Sequence, residues 1–395
     1  MVSSASRLGV VSALGVAQIF AWGASYYLPA VTASSISAET GWPLHWVVGG
    51  LSIGLTCGAI VSPLVGRTIQ DRGGRLVLCL SSIALALGLF VVGISQSLVG
   101  YFVGWSIIGL GMGAGLYDAA FSTLGGLYGQ DARSAISTVT LFGGFASTLC
   151  WPLTALLVEH VGWRGACLAY ALTQLTVCLP LYAWALPMNG GGRQTLEDDV
   201  GEALHANVNS SRFLWLLVML GAINLLISAI GVIVSVQLVE LLRSAGASVA
   251  AAVGLAALIG PAQFVARLLE RFVGDRFHPA WILALSSALV AAGTGLLAFG
   301  FSFAAVSLIV YGAGAGLHSI ARGATPLALF GSGEYAVTMG RLAAPVLMAQ
   351  AVAPVASTLL LASHGLNVVL YTLAGAGLVA LSLSCGIILM ARQRN

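Results

Sequence analysis

LVLCLSSIALALGLFVVGI, Leu76–Ile94, carries no charged residue from end to end. An α-helix rises about 1.5 Å per residue, so such a stretch is long enough to cross a ~30 Å hydrocarbon core. Comparable stretches lie on both sides of it. Leu8–Ala30 and Trp46–Val65 precede it, and Leu98–Leu127, Ala135–Val158 and Trp163–Leu186 follow. The rest of the chain adds Phe213–Leu242, Ala247–Leu269, Ala280–Phe299, Ala304–Phe330, Leu342–Ser363 and Asn367–Ala391. The pattern predicts an all-α membrane protein with twelve transmembrane helices.

Composition points the same way. Hydrophobic residues make up 58% of the chain and charged residues 7%, against roughly 25% charged in soluble domains. Fifty glycines suit helices that must approach closely where lipid gives no hydrophobic drive to pair. Leu8–Ala30 is too long for a signal peptide, holds Gln18 and Trp22, and is read as helix 1. All basic residues are Arg, with no stripe of interleaved aromatics for nucleic acid. Cys57, Cys79, Cys150, Cys167, Cys178 and Cys385 fall inside apolar stretches, without the spacing of a disulfide framework or metal site. They are read as small packing residues.

The arginines set the expected orientation. With the N-terminus inside, Arg7, Arg67, Arg72, Arg75, Arg133, Arg193, Arg212, Arg271, Arg276, Arg392 and Arg394 lie on the cytoplasmic side, and only Arg164 and Arg243 outside. This is the positive-inside pattern, with both termini cytoplasmic and the expected location a bacterial inner membrane. The polar stretch 187–212, with Glu197, Asp198, Asp199 and Glu202, reads as a cytoplasmic linker between a half at 1–186 and a half at 213–395.

The two halves resemble each other. GMGAGLYDAAFSTLGGLYG from Gly111 aligns with GAGAGLHSIARGATPLALFG from Gly312. Pro152 follows Gly129 at the same spacing as Pro354 follows Gly331. EHVGW at Glu159–Trp163 answers SHGLN at Ser363–Asn367, and Arg67 with Asp71-Arg72 answers Arg267 with Glu270-Arg271. Gly15 and Gln18 answer Gly221 and Asn224. Common order at a displacement of about 200 positions marks an internal repeat, two pseudo-symmetric six-helix bundles. Such a parallel repeat is expected to hold its solute near the midplane and to rock between two access states.

GRTIQDRGGR, Gly66–Arg75, between helices 2 and 3, resembles the signature loop of the major facilitator superfamily. GWR at Gly162–Arg164 opening helix 6 is similar to that superfamily as well. The resemblance implies a transporter whose helices 1, 4, 7 and 10 surround a central cavity. It implies that Gly66, Asp71, Arg72 and Arg75 form a conformational gate, Asp71 meeting helix N-termini or cations. Tyr26-Tyr27-Leu28-Pro29, Thr40-Gly41-Trp42 and Ser62–Arg67 are similar to the monocarboxylate-porter-like branch. Helix 1 lacks a basic residue beyond Arg7, and Trp151-Pro152 lacks the Gly-Gly of drug–proton antiporters. Fold-level likeness therefore leaves the solute and its direction open.

Charge inside hydrocarbon is costly, so an ionisable residue there is a functional candidate. Asp118 sits within helix 4, on one face with Gly111, Gly115 and Ser122 at helical spacing, and is read as a proton carrier. Arg322, one turn after His318 in helix 10, is a candidate anchor for a substrate anion or a resting partner for Asp118, because its planar fork suits a carboxylate. His318 reads as a proton relay or a hydrogen-bonding wall residue. Tyr311 extends this stripe, and Gln18, Trp22 and Tyr26 in helix 1 with Asn224 and Ser228 in helix 7 have cavity-facing spacing. Arg267, Glu270, Glu334 and Arg341 are assigned to gate or interface ion pairs at helix ends.

The expected function is secondary active transport by alternating access, proton-coupled, of a small organic anion, by a monomer in the bilayer with no cofactor. Efflux of drugs or metalloid species is the alternative, with Cys57 and Cys150 as the thiols to test, and a non-transporting receptor a remote one. No GxSxG or HExxH supports an intramembrane enzyme, and no Walker loop supports ATP drive.

Overall fold

The computed structural model describes residues 6–188 and 210–392. Most of the expected linker, with its acidic cluster, lies outside them. Among the described residues, ten helical stretches are long and apolar enough to cross a membrane. The longest, Leu98–Ala185, is interrupted at Gly129 (φ 54°) and Gly162 (φ 71°) and holds three crossings. The architecture is the twelve-helix, two-bundle fold.

Span 1 consists of α1 (Arg7–Ala24) and α2 (Leu28–Thr40), span 2 of α3 (Leu44–Arg72) and span 3 of α4 (Gly74–Ile94). Span 4 is α5 (Leu98–Gly115) with α6 (Tyr117–Tyr128). α7 (Ala132–Gly144) leads into α8 (Ala146–Thr173), which Gly162 divides between spans 5 and 6, and α9 (Leu179–Ala185) ends span 6. The later spans are α10 (Ser210–Ser244), α11 (Val249–Ala256) with α12 (Ile259–Val273), α13 (Pro279–Ala298), α14 (Ala304–Phe330), α15 (Tyr335–His364) and α16 (Leu366–Arg392).

By its contacts the chain divides into two compact units. The first gathers the described residues before 200 together with Gly331–Ala351; the second gathers those from 210 to 330 and from Val352 onward. α15 is thus shared, its first part completing the first unit. Leu347 and Ala351 join Trp105, Trp163, Tyr101 and Tyr170 in that unit's core.

Glycine sets the packing distance within each unit. One face of α5 presents Gly109 and Gly113 to Gly54 and Gly58 of α3, and the other presents Gly111 and Gly115 to Leu85 and Ser81 of α4. A Cβ on Gly113 would lie 2.7 Å from the Gly58 carbonyl oxygen. Backbone cannot rotate away as a side chain can. Gly113→Val is therefore expected to destabilise the first unit by about 1–3 kcal/mol, read as a lowered Tm in detergent; an unchanged Tm would contradict this packing.

The second unit repeats the device and corrects its register. Gly312 and Gly316 of α14 meet Ile259 and Gln263 of α12, while Gly314 meets Ser286 and Val290 of α13. Gly312 and Gly316 thus do what Gly109 and Gly113 do. The sequence alignment of Gly111 with Gly312 is out by two residues. Turn glycines repeat too, with positive φ at Gly41 and Gly246, Gly129 and Gly331, Gly162 and Gly365.

Two arginines close the loops of the first unit. Arg7 donates to the Asp131 carbonyl (2.5 Å) and Ser134 Oγ (2.9 Å) and lies over the Tyr128 ring, which explains its place at the edge of α1. At the opposite end Arg164 donates to Glu39 (3.0 Å) and to the carbonyls of Gly93 and Ser95, and lies over Trp163.

Candidate functional site

Spans 1 and 4 of the first unit break near their middles. α1 ends at Ala24 and α2 begins at Leu28, with Pro29 in its first turn, where its missing N–H costs nothing. α5 and α6 are separated by Leu116, whose backbone is extended (φ −79°, ψ −167°). A break leaves a helix-end carbonyl without its partner in the ladder. Gln18, fully buried, fills that need by donating from Nε2 to the Gly115 carbonyl at 2.6 Å, and the Trp22 indole donates to Gln18 Oε1 at 3.1 Å.

Aromatic rings gather over these breaks. Trp22 lies 5.0 Å from Tyr117, 5.4 Å from Tyr26 and 6.0 Å from Tyr27, centroid to centroid. Tyr117 stacks on Phe121 at 5.2 Å and 9°, and its hydroxyl occupies the space a side chain at Gly143 would take. Tyr27 meets Trp151 edge-on at 6.0 Å. Trp22, Tyr26, Tyr27 and Tyr117 are all half-buried.

Asp118 occupies the first turn of α6, a position where the helix dipole favours a negative charge. It is half-buried, with Oδ1 fully enclosed. The break at Leu116 divides the single face expected for Gly111, Gly115, Asp118 and Ser122. The two glycines pack on α4, and the Ser122 hydroxyl donates to the Asp118 carbonyl at 2.7 Å.

The stretch Gly66–Arg75, expected as a loop, is helical on both sides of Gly73: Gly66–Arg72 ends α3 and Gly74 begins α4. Within α3, Gly66 is buried and crosses α15 at Ala336 and Gly340. A Cβ on Gly340 would lie 2.5 Å from the Ser62 carbonyl oxygen. Asp71 and Arg72 are exposed and Arg75 is half-buried. Gln70 donates to the Gly333 carbonyl at 2.6 Å, a contact to the approach of α15 that sequence reading missed. Gln70 and Arg75 line a cleft with Ser122, Thr123, Ser332 and Ala336. Glu334 and Arg341 are exposed.

The second unit contains the remaining candidates. Asn224 of α10 is fully buried, and neither atom of its amide meets a hydrogen-bond partner among the described residues. Ser228 is half-buried. Tyr311 is 4% exposed, its backbone close over Gly293 and its hydroxyl towards Gly231. His318 is buried, with both ring nitrogens lacking a hydrogen-bond partner among the described residues, and Arg322 one turn on is half-buried.

Arg267 and Glu270 of α12, assigned from sequence to helix ends, are 7% and 6% exposed. Arg267 donates from Nε to Ser319 Oγ at 3.0 Å and from Nη2 to Gln263 Oε1 at 3.4 Å. Gln263 stands one turn before Arg267 on the same helix, a neighbour that spacing alone could have found. Ser319 had no such signal, since only the approach of α14 to α12 brings it there. Gln174 was missed as well. It is 1% exposed, opens the π-helical turn Gln174–Cys178, and has neither amide atom paired among the described residues.

Residues 10–274 match the family model described as Major Facilitator Superfamily. No curated protein sequence matches the chain. Among solved structures, the human organic anion transporter MFSD10 superposes with a TM-score of 0.76 at 16% identity, over 96% of this chain and 99% of that one. The proton:xylose symporter XylE gives 0.76 at 14% identity, over 96% and 95%. The E. coli fucose:proton symporter FucP gives 0.73 at 14%, over 96% and 98%. At these identities the likeness is one of fold.

Proposed function

Because the chain belongs to the major facilitator superfamily, and is thus an integral-membrane transporter, we propose that it moves a small organic anion by proton-coupled alternating access. The observation that carries this reading is charge held inside membrane-spanning helices: Asp118 in the first unit, Arg267, Glu270 and Arg322 in the second. Such charges are expensive unless they serve a solute or an ion. A guanidinium offers a planar fork of donors to a carboxylate, and Arg267 is positioned for that by Ser319 and Gln263. Asp118 takes the role of proton carrier, with His318 as relay or polar wall. Gln18, Trp22, Tyr26, Asn224, Ser228 and Tyr311 complete the pathway or brace it.

Halves at 1–186 and 213–395, joined by a linker at 187–212, would rock against each other, with Gly66, Asp71, Arg72 and Arg75 as gate. On the arginine asymmetry we place both termini in the cytoplasm, and we take a bacterial inner membrane as the setting and the monomer as the working unit. An anion transporter and two proton symporters on this fold are precedents for both parts of the proposal, though fold alone does not carry function.

The test is uptake into proteoliposomes enclosing a pH dye, with organic acids as solutes. Solute-dependent acidification or alkalinisation is expected, and Arg267→Gln should raise KM by roughly tenfold or more, the scale of a lost charge-assisted hydrogen bond. Solute flux with no pH change would remove proton coupling. Flux of neutral solutes only, indifferent to Arg267, would remove the anion.

A further inference from the structure

We propose that the ring cluster of Trp22, Tyr26, Tyr27 and Tyr117 is a π-faced subsite that receives a flat aromatic ring of the transported solute. The inference rests on the transport reading above for its context, and on the anion reading only for the solute's charge.

Position is the first argument. The rings sit over the breaks at Ser25–Tyr27 and Leu116, near the middles of spans 1 and 4. Irregular backbone at that depth is tolerated only inside protein or along a cavity.

Burial is the second. The structural aromatics of the first unit, Tyr101, Trp105, Trp163 and Tyr170, are each about 1% exposed. The four cluster rings are only half-buried, so they retain surface that the protein itself does not cover.

Geometry gives the chemical class. Tyr26 stands at 68° to Trp22 and 89° to Tyr27. Rings set edge to face make the walls of a corner, and aromatic guests prefer such offset and T-shaped partners. The polar relay beneath is committed internally, the Trp22 N–H to Gln18 and the Gln18 amide to the Gly115 carbonyl. Trp22 therefore offers its face rather than its donor. Tyr117 is held by Phe121 on one side and fitted against Gly143, so the wall does not depend on the solute to form.

Benzoate, hexanoate, benzylammonium and tetramethylammonium are the probes, tested on the reconstituted full chain by flux and by tryptophan fluorescence. Wild type should favour benzoate over hexanoate, and Tyr26→Leu should lower that ratio roughly tenfold, while Tyr26→Phe keeps it. The ratio is taken within one preparation, so a loss of folded protein does not move it. Benzoate should also quench fluorescence in wild type more than in Trp22→Phe. An unaltered ratio in Tyr26→Leu, quenching by tetramethylammonium alone, or no quenching by either aryl probe overturns the subsite. Preference for hexanoate overturns it while leaving the anion reading intact. Benzylammonium carried with the same Tyr26 dependence, benzoate being refused, supports the ring subsite and removes the anion reading.

Discussion

Asp118→Asn is expected to abolish solute-driven pH change in proteoliposomes, by about a hundredfold or more, the scale of a lost proton-transferring group. The substitution is nearly isosteric. Ser122 bonds the backbone carbonyl of residue 118, which Asn keeps, and the lost attraction of the charge to the helix dipole is only about 0.3–1 kcal/mol, so Tm should stay close to wild type. What Asn cannot do is take up and release a proton. Solute exchange between equal pools on the two sides, which needs no net proton movement, should therefore persist. Normal pH coupling in the variant would remove Asp118 from the proton path. Loss of exchange together with a fallen Tm would instead make it a structural carboxyl of the broken helix.

Gly66→Val is expected to lower flux by at least tenfold. Gly66 and Gly340 bring α3 and α15 together backbone against backbone, so an added side chain meets main-chain atoms that no rotamer change can relieve. Overpacking of this kind costs about 1–3 kcal/mol, which corresponds to roughly a tenfold or larger shift between two states of similar energy. If this crossing opens and closes during transport, the variant is biased towards the open side, and Gly340→Val should act alike. Flux at the wild-type rate with an unchanged Tm would show that the crossing is neither a gate nor a tight contact.

Much of the fold was legible because a bilayer imposes it. Length and apolarity of Leu76–Ile94 and its counterparts delimit the spans, and the motif Gly66–Arg75 marks the superfamily. The break in span 1 had a local signal in Pro29. The break at Leu116 had none, since it depends on Gln18 reaching the Gly115 carbonyl from another helix. The register of the repeat slipped for a related reason. In GMGAG and GAGAG glycine recurs every second residue, so a shift by two leaves the pattern nearly unchanged while exchanging the faces that meet neighbouring helices. Arg267 looked like a charge near a helix end because its burial is decided by α14, far along the chain.

The sharing of α15 between units has a consequence for biosynthesis. The first unit is complete only when Gly331–Ala351 has been made. At ~5–20 residues per second the ribosome reaches that segment about ten to thirty seconds after finishing span 6. Until then the nascent bundle must wait in the membrane with the backbone of Gly66 and the face at Gly125, later covered by Tyr335, open to lipid or to an insertion chaperone. A 1–186 fragment should therefore present these two faces uncovered, and a co-expressed α15 segment should bind it in trans, read as co-purification of the two pieces.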